Sequence, residues 1–386
     1  MKNIPWRIIG VITSWKVAIL FVTFAAGILL PFNKNLFYSN FMYPTDQKIS
    51  YITPFTTWDA QHYLYLSDNG YKKDQPSNWF YPFFPYSVKI VKLLFQNTFI
   101  SALLVSNLYS LIALLFFYFL VKDLFSEKIA FYSVIAFISF PSAFYLNLIY
   151  SESSFIFLSI GFFYFLYKGK TLYSLPFIFL LPLARSIGIL IAIPYFIFLL
   201  QKKEGIKRIT IPTFNKPIKI KLNPAFFLVT IPLLGYLMNF LLMYILTGDP
   251  FSQFVTLRYF IGRFSIFNVF NIELFFQNLF GTPLALHGFT NSLLDRLFFA
   301  FFLVMAPFVY KKTNKVFFFY YLALGMVPLL GSFMGYMRYL LPAFPLFITL
   351  GSVFAKNKVL LYAYLYLSIS LQIMLVIMSA LSYWVA

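Results

Sequence analysis

The residues of this chain best suited to chemistry lie in one polar stretch, Thr57 to Pro85, TWDAQHYLYLSDNGYKKDQPSNWFYPFFP. It holds Asp59, Asp68 and Asp74, three of only eleven acidic residues, and His62, one of two histidines. A carboxylate can accept the proton of a hydroxyl as that hydroxyl attacks, which makes Asp59 a candidate general base. Residues 60–69 read as a short helix closed by Gly70, and on it Asp59, His62 and Tyr63 share a face, with Trp58 beside them. The competing role for Asp59 is the N-cap of that helix, worth about 1 kcal/mol. An aspartate can serve as both. Six aromatics follow within the eight residues Trp79–Tyr86, either an interfacial belt or the wall of a groove for a lipid tail or a sugar.

A second group of candidates is spread along the chain. Tyr150-Ser151-Glu152-Ser153 reads as a helix start, with Ser151 as cap and Glu152 complementing the helix dipole. Glu152 could equally pair with His62 or Arg185, orient a substrate, or hold a divalent cation together with Asp59. Arg185, Arg258, Arg263 and Arg338, with Asp249 in the turn Thr247-Gly248-Asp249-Pro250, fall on segments expected to share one face. Several guanidinium groups on one face favour an anionic ligand, since their planar fork matches a phosphate. His287 stands alone in a loop, and Lys16 sits inside an apolar run.

The elements that must position these residues are membrane helices. Apolar residues make up 61% of the 386 and charged residues 11%, less than half the roughly 25% of a soluble domain. Apolar runs recur at the length needed to cross about 30 Å of hydrocarbon, predicting an all-α polytopic membrane protein with about eleven transmembrane helices. The expected spans are 8–31, 99–121, 129–149, 152–167, 172–184, 186–200, 223–247, 293–310, 316–333, 338–354 and 359–383. The first is read as an uncleaved span rather than a secretory signal. Residues 1–386 then form one integral membrane domain. There are no cysteines, which excludes disulfides and thiolate chemistry.

The formal charge of +19 is read as orienting lysines between spans, with no continuous stripe for nucleic acid. The segment 201–222 carries seven cations against Glu204 and is expected to be cytoplasmic, as is the N-terminus. That leaves 32–98 and 248–292 as large extracytoplasmic loops. Five of the seven arginines, eight of the eleven acids and both histidines then fall on the extracytoplasmic side. Between Lys170 and Gln201 the chain must enter the membrane and return in two arms of about 20 Å each, so Arg185 at the tip lies below the far surface. An arginine there calls for a wet cavity or an anion. No P-loop, G-x-G-x-x-G, H-E-x-x-H, D-x-D or G-x-S-x-G motif is present, so a phosphate-bearing substrate should come from the membrane itself.

Four stretches in order carry a family resemblance. Trp58-Asp59-Ala60-Gln61-His62-Tyr63, with Gly70-Tyr71 and Phe83-Phe84-Pro85, resembles the first outer loop of the PIG-V-like mannosyltransferases, relatives of the enzyme that adds the second mannose in GPI-anchor assembly. Pro141-Ser142 through Tyr150-Ser151-Glu152, then Ala184-Arg185-Ser186-Ile187-Gly188, then Thr247-Gly248-Asp249-Pro250 with Phe254, Arg258 and Gly262-Arg263, continue the pattern over roughly residues 50–345. The chain departs from it at Ile187, Leu257 and Phe260, where the family has asparagine, glutamine and tryptophan at or near these positions. The resemblance implies a GT-C glycosyltransferase-like bundle with a large first extracytoplasmic loop. It also implies a polyprenyl- or dolichyl-phosphate sugar donor, mannose first, a glycolipid or lipid-linked glycan acceptor, and inversion at the anomeric carbon. In that scheme Asp59 is the base, and Arg185 with Arg258, Arg263 or Arg338 stabilises the phosphate. His62, Glu152, Asp249, Trp58 and Tyr63 bind substrate, and a magnesium or manganese ion stays open. The rival class is a flippase or transporter of lipid-linked saccharides, which calls for two related halves that the sequence does not display.

Overall fold

The computed structural model describes residues 5–201, 207–211, 218–222, 224–261, 276, 280–281, 292–326 and 335–385. In chain order its helices are α1 (Trp6–Leu29), α2 (Lys34–Ser39), α3 (Asp59–Asn69), α4 (Phe83–Phe95), α5 (Thr98–Leu124), α6 (Glu127–Ile138), α7 (Glu152–Tyr167) and α8 (Thr171–Ala184). They continue as α9 (Ala192–Gln201), α10 (Ile231–Thr247), α11 (Ser252–Ile261), α12 (Leu293–Lys312), α13 (Lys315–Met326), α14 (Tyr336–Leu340), α15 (Pro345–Phe354) and α16 (Lys358–Ala380). The helical membrane architecture expected from composition is what the structure has. Among the described residues its one exception is an antiparallel pair in the basic segment, β1 (Lys207–Ile211) and β2 (Ile218–Leu222), with Lys207 opposite Leu222.

Among the described residues five helical stretches are long and apolar enough to cross a membrane: α1, α5, Phe226–Thr247 (which ends as α10), α12 and α16. Five more apolar stretches are shorter: Glu152–Tyr167, Thr171–Ala184, Ser186–Gln201, Lys315–Met326 and Pro345–Phe354. Two expected spans are interrupted at prolines. The run 129–149 breaks after Ile138, because Pro141 lacks an N–H and favours an extended Phe140 (φ −63°, ψ 138°), and the chain goes on as 3-10 turns over Pro141–Leu146. The run 338–354 is divided between α14 and α15, with Pro342 between them and Pro345 opening the second helix. Of the run 316–333, α13 accounts for the part to Met326, and 327–333 lie outside the described residues.

Packing explains which helices are central. The order of neighbours runs α15, α6, α5, α7, α8, α10. Half of the most apolar window of α5 is buried, against 28% for α1, α12 and α16, so the latter three keep lipid-facing flanks. Helix α7 is apolar on every side and buried along most of its length, as a core helix should be. Lipid is as apolar as leucine, so the bundle coheres by close packing rather than by expelling water. Phe137 stacks on Phe347 with ring centroids 4.3 Å apart, and Phe163 meets Phe344 edge-on at 5.3 Å.

Between Lys170 and Gln201 the chain turns at Arg185. Helix α8 stops at Ala184, Arg185 is extended (φ −158°, ψ 148°), and 3-10 turns over Ser186–Ile191 lead into α9. Fourteen residues rise about 21 Å, short of a full crossing. A Cβ on Gly188 would fall 2.4 Å from the carbonyl of Leu181, so only glycine lets the chain fold back on the last turn of α8.

Candidate active site

Helix α3 begins one residue earlier than its pattern suggested. Trp58 occupies the N-cap position with φ 56° and ψ −126°, and it makes no side-chain cap. A non-glycine residue at positive φ costs of order 1–3 kcal/mol and persists only where the surroundings enforce it. Here the Trp58 indole N–H donates to the carbonyl of Tyr383 at 3.1 Å. The neighbouring Thr57 hydroxyl donates to the carbonyl of Ser379 at 3.0 Å, and the Tyr150 hydroxyl donates to the carbonyl of Thr57 at 3.2 Å. Asp59 is therefore the first helical residue rather than the cap. Its carboxylate instead accepts from Arg338 Nη1 at 2.9 Å.

Glu152 stands in the first turn of α7 and is wholly buried. One carboxylate oxygen, Oε1, accepts from both Arg185 Nη1 and Arg338 Nε. Ser151 holds the N-cap position, but its backbone is helical and its side chain caps nothing; its hydroxyl accepts from Tyr63 at 2.7 Å. That bond ties α3 to α7 beside the acid. Four charged groups thus alternate as Asp59, Arg338, Glu152, Arg185, with no net charge. Side-chain exposure is none at Glu152, 10% at Arg338, 16% at Arg185 and 22% at Asp59, so the chain of ion pairs is sealed at Glu152 and most open at Asp59.

Two residues that carried no role in the sequence hold Arg338 in place. Asp295, in the first turn of α12, accepts from the backbone N–H of Met337 at 3.0 Å. Ser142, in the 3-10 turns of Pro141–Leu146, donates to the carbonyl of Met337 at 3.0 Å. The guanidinium then lies over Tyr145 and Tyr150, 4.7 and 4.8 Å from the ring centroids, while that of Arg185 lies 5.2 Å from Tyr339. Rings at this range favour a cation electrostatically. The visible signal for Asp295 was its rarity as an acid beside an apolar run. Ser142 stood in one of the four stretches of the family resemblance, but no role was assigned to it there.

Beside Asp59 lies a small part-open hollow of about 180 Å³, lined by Trp58, Asp59, Tyr145, Tyr150 and Arg338 and closed by Trp384 and Val385. The last two follow α16 and were not anticipated. Of the expected site residues, the structure brings Trp58, Asp59, Glu152, Arg185 and Arg338 together, with Tyr63 at their edge. It does not bring His62. That ring is buried between Phe41 and Phe80, at centroid distances of 4.2 and 4.6 Å, and its Nδ1 bonds Ser77 at 2.9 Å. Burial pulls its pKa down to about 3, leaving a neutral imidazole. Asp249 accepts from the N–H of Phe251 at 2.8 Å, the local turn that leads into α11. Arg258 lies on α11, while Arg263 and His287 lie outside the described residues.

The two carboxylates considered for a divalent cation are joined through Arg338, whose guanidinium fills the gap a metal would need. Among the described residues no three His, Cys, Asp or Glu side chains converge as metal ligands. As arranged, Asp59 and Glu152 hold a guanidinium between them.

No protein-family model matches the chain, and no curated protein matches it in sequence. Among solved structures it is similar to the Archaeoglobus fulgidus oligosaccharyltransferase. For the apo form the TM-score is 0.49 at 12% identity, covering 96% of this chain and 56% of that one. For the form tethered to an acceptor peptide it is 0.46 at 12%, covering 96% and 55%. For the complex with an inhibitory peptide and a dolichol-phosphate it is 0.46 at 12%, covering 97% and 56%. The chain spans about half the length of these proteins.

Proposed function

We propose that this chain is an inverting glycosyltransferase of the GT-C type. It would move a sugar, mannose first, from a polyprenyl- or dolichyl-phosphate donor to a hydroxyl of a glycolipid or lipid-linked glycan. The observation that carries this reading is the solvent-edged Asp59 held by Arg338, which shares the buried Glu152 with Arg185. A base and two guanidiniums within one ion-pair chain meet both needs of the reaction. The PIG-V-like motif order supports the same assignment.

In this mechanism the acceptor hydroxyl gives its proton to the Asp59 carboxylate as its oxygen forms the bond to the anomeric carbon. The bond from that carbon to the phosphate oxygen breaks through an oxocarbenium-like state, and its electron pair leaves on the phosphate. Phosphate needs charge stabilisation more than a proton. Arg185 and Arg338 supply it, already oriented by Glu152 before substrate arrives. Trp58 and Tyr63 frame the base, and the donor's prenyl chain lies among membrane lipids. A divalent cation would act through Asp59 and Glu152 only if Arg338 left the gap between them. The charge asymmetry of the loops favours an extracytoplasmic site with a cytoplasmic N-terminus.

The test is transfer by the purified full chain from polyprenyl-phosphate mannose to defined glycolipids. Asp59→Asn should lower turnover by about 10²–10⁴-fold, the usual worth of a general base, with the protein still monodisperse. Near-normal turnover in that variant removes the base assignment. A wild-type chain inert toward every polyprenyl-phosphate sugar offered removes the reading itself.

A further inference from the structure

The hollow beside Asp59 has two unlike walls. One is charged, Asp59 and Arg338; the other is an indole corner, Trp58 and Trp384, with ring centroids 4.8 Å apart and planes at 80°. That corner joins parts of the chain more than three hundred residues apart. It is fixed by the Trp58 indole N–H on the carbonyl of Tyr383 and by the N–H of Asn33 on the carbonyl of Leu381 at 3.1 Å. Four non-glycine residues have positive φ among those described, and two of them, Trp58 (56°) and Ser382 (67°), flank this contact. Strain on both sides of one contact marks a conformation that the tertiary structure enforces, the pattern seen at ligand clamps.

We propose that the Trp58–Trp384 corner is the subsite for a pyranose ring, with the segment 381–385 an integral wall of the active site. This rests on the glycosyltransferase reading above. A pyranose has hydroxyl groups around its rim and apolar C–H faces. The hollow offers a matching pair of surfaces, charged groups for the rim and indoles for a face. Tryptophans of an interfacial belt need no such surroundings. Trp384 is half-buried, in a hollow shared with two members of the ion-pair chain.

The ring could belong to the donor or to the acceptor, and the experiment separates them. Binding of polyprenyl-phosphate mannose and of bare polyprenyl phosphate is measured for the full chain, Trp384→Ala and Trp384→Phe, with acceptor KM and kcat alongside and thermal melting to check folding. For a donor ring, Trp384→Ala should bind the mannosyl lipid about tenfold more weakly, the bare lipid within about twofold, and Trp384→Phe should recover most of the loss. For an acceptor ring, Trp384→Ala should leave donor binding intact and raise acceptor KM by about fivefold or more at unchanged kcat. Equal weakening toward mannosyl and bare lipid, or no change in either donor binding or acceptor KM, overturns the subsite while transfer by the wild type still stands. A wild type that neither binds nor transfers any polyprenyl-phosphate sugar overturns the glycosyltransferase reading, and the subsite falls with it.

Discussion

Lys16 and Arg338 are both buried cations in an apolar bundle, and their surroundings differ in kind. Lys16, in the middle of α1, donates to Ser110 Oγ at 2.5 Å, Asn147 Oδ1 at 3.0 Å and Asn107 Oδ1 at 3.2 Å, all neutral oxygens. Arg338 donates to two carboxylates, one of which reaches the solvent edge. The same 3-10 segment serves both, since Ser142 holds the backbone beside Arg338 and Asn147, which caps it, holds Lys16. A cation bound by neutral oxygens deep in the bundle has nothing to exchange. One bound by carboxylates at an opening can re-pair with an incoming anion. On the proposed function, the comparison separates a buried charge that joins helices from one that serves the chemistry.

The sharpest way to break this contrast is at Glu152. Glu152→Gln leaves two buried guanidiniums without their shared counter-charge, a loss of about 3–5 kcal/mol in comparable buried pairs. Turnover should fall by at least about 10²-fold, with a lower melting temperature. Arg338→Lys tests geometry at constant charge: a lysine cannot span both carboxylates with a planar fork, and about 10²-fold loss of turnover is expected. If either variant turns over as the wild type does, the ion-pair chain is a structural brace and the contrast with Lys16 disappears.

His62 sharpens the comparison as a third buried base, made tolerable by losing its charge. Its folded pKa of about 3 lies below the unfolded value of about 6.5, so its contribution to stability is full above pH 6.5 and is lost as pH falls toward 3. The slope approaches about 1.4 kcal/mol per pH unit in that window. Melting of the wild type followed from pH 7 to pH 4 should steepen relative to His62→Phe, and parallel curves would contradict a neutral buried imidazole. The smallest effect is expected at Lys16. Lys16→Met should destabilise by about 1–2 kcal/mol, because the Asn107 and Asn147 carbonyl oxygens lose their donor, and should leave turnover within about twofold of wild type. A collapse of transfer in Lys16→Met would place that cation in the machinery after all.

Composition and periodicity alone determined that this chain is a helical membrane bundle, because 61% apolar residues in runs of crossing length admit no other class. They also marked Asp59, Glu152, Arg185 and Arg338, because ionisable groups are rare and costly in such a protein. The turn at Arg185 was legible from the cations at both ends of a segment about 29 residues long. The breaks after Ile138 and around Pro342 were less so, since an apolar run continues through them and only the prolines mark the interruption. Partner choice belonged to the tertiary structure. Helical spacing put His62 beside Asp59, yet stacking between Phe41 and Phe80 took its ring elsewhere. Arg338 reaches Asp59 across 279 positions, and Trp384 reaches Trp58 from beyond the last helix. Local propensity acts over a few residues, whereas a charge buried in an apolar bundle is satisfied by whatever the packing brings within 3 Å of it.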